Sequence, residues 1–301
     1  MKRRGVMRSA LRAFGQVLER PHHLLAFLLL NLVLATVVAL PYQVLLGDRL
    51  ERAPVAEEIA DGASWRWLDT LLRQRPEILG TAGLEWPPRP GGMLPAQTLA
   101  AGLLLYWLTA VLHCGYLSTL RSGPSGRRGL FAGAARFALP ATALALLAGL
   151  GYLAVVALLF VGTGRLTEPL AAATDREWVA LALTWGRAAL TLAGLLAVKL
   201  VFDLAKTVVV RRDSLNFLGA GVEAVGELGR RGLPYLAAYL LIALPGLALI
   251  VLWWLLPGRI VPGSWAGLAA LFLFQQIFLT ARIAFRLAHL GATWNLYPRR
   301  L

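Results

Sequence analysis

FALPATALALLAGLGYLAVVALLFV, residues 137–161, carries no charged side chain between Arg136 and Arg165. A bilayer core about 30 Å thick takes roughly 20 residues of helix, and this stretch supplies them without interruption. Five further stretches read the same way: Leu24–Leu46, Gln97–Ser118, Trp178–Asp203, Leu233–Leu256 and Trp265–Leu287, each bounded by charge, Pro or Gly. In hydrocarbon every backbone N–H and C=O needs a partner within the protein, which only helices and closed barrels supply. None of the six alternates in the manner a barrel strand requires. The sequence therefore predicts an all-α, polytopic membrane helix bundle, a single integral membrane domain over residues 1–301 with about six transmembrane helices.

Composition agrees. The chain is 58% hydrophobic and 15% charged, against about 25% charged in soluble domains. A compact domain in water could not hide that much apolar surface. The formal net charge of +14 raises nucleic acid as a partner, but the basic residues sit in short segments between apolar runs rather than on one solvated face. Nucleic acid is not expected.

Those basic segments orient the helices. On one side lie Lys2, Arg3, Arg4, Arg8, Arg12 and Arg20, then Arg121 to Arg136, Lys206 to Arg231, and Arg282, Arg286, Arg299 and Arg300, which is 19 of the 30 Lys and Arg. The connections on the other side hold 9 of them and 11 of the 16 acids. The basic side is expected to be cytoplasmic, with both termini there. Trp65, Trp67, Trp86, Trp178, Trp253, Trp254 and Trp265 fall near the opposite ends, where indoles favour the headgroup layer. The first apolar run continues through Pro41 and Tyr42 and is too long for the core of a cleaved leader. Richness in Ala, Leu, Arg and Gly suggests a bacterium, and so the bacterial cytoplasmic (inner) membrane.

Three segments on the basic side resemble one another. Met7, Leu11, Phe14 and Leu18 precede Pro21; Leu130, Ala134 and Phe137 precede Pro140; Leu215, Leu218, Val222 and Val225 precede Pro234. Each is expected to be a short amphipathic helix at the inner interface, with its arginines toward anionic headgroups. The first occupies residues 1–22, and the others fall in cytoplasmic loops 119–136 and 204–232. The outer connection, 47–96, is read as a loop holding an interfacial helix with Trp65, Leu68, Leu71 and Leu72 on its apolar face.

Polar residues inside the spans are the candidate site. Lys199 and Asp203 share a face of span four, with Lys206 three residues on, and Arg187 lies nearer the outer end. Intramembrane charge is costly and marks function or internal pairing; near the inner boundary, pairing is the simpler account. Gln275 and Gln276 sit midway along span six with Arg282 below them, and Asn31, His113 and Tyr106 are possible partners for a mid-membrane amide. Ala189, Ala193 and Ala197 form a small-residue stripe that would allow close helix approach. His113 beside Cys114, and His22 beside His23, lack the spacing of metal ligands. No phosphate-binding loop, nucleophile elbow or zinc motif occurs. Neither catalytic residues nor a metal or cofactor is expected.

Arg12 to Pro21 leading into span one with Asn31, Phe202-Asp203-Leu204-Ala205-Lys206 followed by Val208-Val209-Val210, and Asp213-Ser214 opening an amphipathic helix before Pro234 resemble a broad group of bacterial six-span membrane proteins. That group is similar to the membrane domain attached to some glycerophosphodiester phosphodiesterases. The soluble domain of that family, with its metal-binding acids, is missing, so the resemblance implies a membrane fold and no catalytic residues. The expected function is a non-enzymatic membrane component that organises lipid or a membrane protein partner. A small-molecule or lipid transporter and an intramembrane lipid-modifying enzyme are the alternatives.

Overall fold

A computed structural model describes residues 3–50, 93–123, 127–174, 176–255 and 265–298. It is helical almost throughout, with no strand among the described residues. In chain order the helices are α1 (Arg3–Leu18), α2 (Pro21–Leu50), α3 (Met93–Ser122), α4 (Arg127–Arg136), α5 (Ala138–Val155), a π-helical segment (Val156–Gly162), α6 (Thr163–Ala172), α7 (Glu177–Arg212), α8 (Phe217–Leu255) and α9 (Trp265–Leu296). Five helical stretches are long and apolar enough to cross a membrane, and six if the pair 5–18 and 21–37 counts as one broken span. The outer-loop helix expected around Trp65, Leu68, Leu71 and Leu72 lies outside the described residues, as do Trp67 and Trp86.

The helices run further than hydropathy suggests. The connections 119–136 and 204–232, each expected to hold a short amphipathic helix, are helical over most of their length. Polar residues can continue a helix once it leaves hydrocarbon, so apolarity marks the crossing and not the element. The third crossing likewise continues past Val161 through the π segment into α6. At 36 residues, α7 is about 54 Å long at 1.5 Å per residue, well beyond a bilayer core.

Local signals set the breaks. Pro21 opens α2, where its missing N–H costs nothing. Gly123, at φ +87°, follows α3 in the left-handed conformation that suits glycine. Asp213 takes the same role after α7 at φ 53°, and the Ser214 amide donates back to the Val209 carbonyl at 3.2 Å. Asn216 then caps α8, its Oδ1 accepting from the Gly219 amide at 2.8 Å. Arg231 leaves helical geometry three residues before Pro234, so an amphipathic stretch and an apolar stretch join at a kink.

The chain divides into two compact units. One comprises Met1–Glu19, Ala110–Ile242 and Leu287–Leu301; the other comprises Arg20–Thr109 and Ala243–Arg286. The first unit holds most of the buried side chains, among them Ala13, Tyr116, Leu130, Leu204, Val209, Tyr235 and Leu290. Along α7 nearly all burial falls between Leu200 and Val210. Apart from Thr191, residues 177–199 are exposed or half-buried.

Close approaches within the first unit occur at glycines. A Cβ on Gly115 would stand 2.4 Å from the Leu130 carbonyl oxygen, so α3 and α4 touch backbone to backbone there. Gly151 of α5 faces Val198, and Gly194 of α7 faces Val155 and Leu159. The predicted stripe Ala189, Ala193 and Ala197 does not make this contact, because all three are exposed. The glycine face turns inward, since it alone admits a branched neighbour at that distance.

The amphipathic helices are two-sided. Ala10, Ala13 and Val17 are the buried residues of α1, while Met7, Leu11 and Leu18 are exposed. In α4, Leu130 and Ala134 are buried and Phe131 is exposed. In α8, Ala220 and Ala224 are buried whereas Leu218, Val222 and Val225 are exposed. Mostly small residues pack inward and large apolar ones point away.

Candidate functional site

Two polar clusters stand out, both in the first unit. The first forms on the inward face of α7. Lys199, Asp203, Lys206 and Thr207 recur at helical spacing and so share that face. Asp203 Oδ2 accepts from Lys199 Nζ at 2.7 Å, and Oδ1 faces Lys206 Nζ at 3.4 Å. The Tyr239 hydroxyl of α8 also donates to Asp203 Oδ2. The Asp203 side chain is 5% exposed and that of Lys206 10%. Two ammonium groups and a phenol thus converge on one buried carboxylate.

The cluster reaches two more helices. His289 of α9 bonds the Tyr239 carbonyl at 3.2 Å, and the two rings lie 4.4 Å apart. Thr207 and Thr293 share a hydroxyl hydrogen bond at 3.2 Å between α7 and α9. His113 of α3 is buried within electrostatic reach of Asp203. A buried charge is tolerable only when its partners replace the water it lost, and this set ties α3, α7, α8 and α9 together at one level.

The second cluster lies where α1 meets the C-terminal ends of α3, α7 and α9. Arg121 donates to the Val210 carbonyl at 3.1 Å and Arg211 to the Trp294 carbonyl at 2.5 Å. Each supplies a side-chain donor to a carbonyl in the last turn of a helix, and the Val210 carbonyl also accepts from the Asp213 amide at 3.4 Å. The Arg211 guanidinium also stacks on the rings of Trp294 and Tyr297, at 4.3 and 5.4 Å. Asp213 holds Arg136 at 2.5 Å and Arg121 at 3.4 Å. Glu223 accepts from Arg212 at 2.6 Å and from the Tyr297 hydroxyl at 2.5 Å. Burial and then the Glu223 carboxylate push that hydroxyl above its ordinary pKa, so it stays a proton donor at neutral pH.

These contacts surround a cavity of about 330 Å³ walled by Arg12, Gln16, Arg211, Trp294, Asn295 and Tyr297. Leu120 closes one side. The wall holds two guanidinium groups and no carboxylate.

Of the residues singled out from sequence, Lys199 and Asp203 meet as expected. Arg187 lies apart from them, its guanidinium 4.7 Å from the Phe160 ring centre in the π segment. Gln275, Gln276 and Arg282 belong to the second unit. There Gln275 and Arg282 are exposed, and the Gln276 carbonyl accepts from Thr280 within its own helix. Asn31 bonds the Phe27 carbonyl one turn back. Tyr239, His289 and the wall of the cavity were not legible. The nearest signal was the aromatic pair Trp294 and Tyr297 at the basic end of the last helix, opposite the other tryptophans.

Among the described residues no group of three or more His, Cys, Asp or Glu side chains is placed to hold a metal ion. Compared with known proteins, the chain matches no family model, no curated protein and no solved structure.

Proposed function

We propose that the chain is a non-enzymatic, multi-pass component of a bacterial cytoplasmic membrane. Its basic end and both termini lie on the cytoplasmic side, and its short amphipathic helices organise lipid or a partner complex. The carrying observation is the two-sidedness of α1, α4 and the first stretch of α8. Their small faces pack inward, and Met7, Leu11, Leu18, Phe131, Leu218, Val222 and Val225 point outward beside Arg8, Arg12 and Arg136. Large apolar side chains left facing water would be a liability. Dipped into the acyl boundary, each gains up to about 1.5–3 kcal/mol, while neighbouring arginines meet anionic headgroups. The resemblance to bacterial six-span proteins fits this reading.

The test is extraction from native membranes into lipid-preserving particles, followed by mass analysis of what comes with the chain. The variant Met7→Ser, Leu11→Ser, Leu18→Ser, Val222→Ser should fold yet lose most co-extracted lipid or partner. Equal retention by the variant, or a bare wild-type chain, would overturn the proposal.

A second reading, a small-molecule or lipid transporter, is favoured by the two lysines, Lys199 and Lys206, gathered on the buried Asp203 carboxylate. It predicts that proteoliposomes carry an ion or proton leak removed by Asp203→Asn. Vesicles as tight as protein-free ones would exclude it.

A further inference from the structure

We propose that the cavity between Arg12 and Arg211 binds a phosphate-bearing group, carried either by an anionic lipid or by a soluble phosphate compound. The charges around it are unequally spent. Glu223 is engaged by Arg212 and Tyr297, and Asp213 by Arg136 and Arg121. Arg121 and Arg211 also serve helix-end carbonyls. Arg12 has neither hydrogen bond nor ion pair among the described residues, and it borders a space with no acid in its wall. An anion is the ligand that this imbalance favours.

The wall also suits a phosphate in particular. A guanidinium offers paired N–H donors that match phosphate oxygens, and two such groups flank the space. Stacking on Trp294 and Tyr297 fixes the plane of Arg211 before any ligand arrives. Gln16 and Asn295 bond each other at 3.4 Å, at the weak end of the range, and Asn295 also donates to the Ser9 carbonyl at 3.3 Å, so the two amides stand at the wall with their positions fixed. At about 330 Å³ the cavity falls at the small end of ligand sites, which run from about 300 Å³. That leaves room for a phosphate and a short polar substituent. The lipid source rests on the membrane reading above; the soluble source does not.

The test uses the full chain, with Arg12→Gln and Arg12→Glu as probes and Arg165→Gln, away from the cavity on α6, as a charge-loss control. Arg12 and Arg165 are both exposed, so these variants should fold. In discs of mixed phosphatidylglycerol and phosphatidylcholine, mass analysis should find phosphatidylglycerol retained by wild type and by Arg165→Gln. Retention should fall roughly tenfold in Arg12→Gln, as expected for losing about 1.4 kcal/mol, and further in Arg12→Glu. In zwitterionic detergent, inorganic phosphate or glycerol phosphate should raise the unfolding temperature of wild type and leave Arg12→Gln unmoved if the source is soluble. A response in either arm that depends on Arg12 supports the site, and the arm in which it occurs identifies the source. Overturning results are Arg12 variants that match wild type in both arms, or protection by a polyglutamate peptide and by neither phosphate source. If the Arg12 variants match wild type while the α1 and α8 apolar variant still sheds lipid, the site falls and the broader proposal stands.

Discussion

Asp203 accepts from Lys199, Lys206 and Tyr239 together, so losing each partner leaves something different behind. Asp203→Asn strands two ammonium groups, one of them nearly buried, and should cost roughly 3–5 kcal/mol, the range for breaking a buried pair from one side. Tyr239→Phe removes one hydrogen bond to a charged acceptor and should cost about 1.5–3 kcal/mol. Thermal unfolding in detergent should rank Asp203→Asn below Tyr239→Phe and both below wild type. An unmoved transition in Asp203→Asn would show that the carboxylate does not hold these helices. The lone thiol gives a second check at this scale. Cys114 is fully buried and should resist maleimide in the folded chain and react once unfolded. The Lys199–Asp203 pairing was legible because four residues on a helix is a fixed geometry. Tyr239 was not, because the register between two helices is written nowhere in the local sequence of either.

At the level of elements, glycines mark the closest approaches of α3 to α4 and of α5 to α7. Gly115→Ala would drive a methyl group into the Leu130 carbonyl, and backbone cannot swing aside as a side chain can. Separation of α3 from α4 should cost at least the 1–3 kcal/mol usual for overpacking. Gly149→Ala, with nothing within 4 Å, should be neutral or gain up to about 1 kcal/mol from helix propensity. Unfolding of the two variants side by side checks the contrast. Helix existence was plain from the sequence, since charge-free runs such as residues 137–161 admit little else. Helix ends were not, because α7 continues through Lys206, Arg211 and Arg212 after hydropathy has fallen. The inward side of α1 was not legible for a related reason. Pattern identifies an apolar side, but Met7 and Leu11 point to one medium and Ala10 and Ala13 to another, and both media are apolar.

For the whole molecule, the proposed orientation makes one direct prediction. With Cys114→Ala removing the native thiol, Ser122→Cys places a label on an exposed residue at the basic end of α3. A membrane-impermeant maleimide should miss it in intact cells and modify it in inverted vesicles. Labelling from outside intact cells would reverse the topology. The uneven burial along α7 has a separate bearing on life in real bilayers. Hydrocarbon thickness differs by several ångströms between membranes, and helices answer by tilting. In this chain the well-packed stretch of α7, Leu200 to Val210, is the one that carries Asp203 and Lys206 and runs toward Arg211 and Arg212. In the proposed orientation the sparsely packed stretch is the one set in the outer part of the bilayer. Hydrophobic mismatch would therefore be absorbed by leaning of the loose half, while the cohesive half keeps its register. Such a protein should tolerate transfer between thin and thick membranes with little loss of fold.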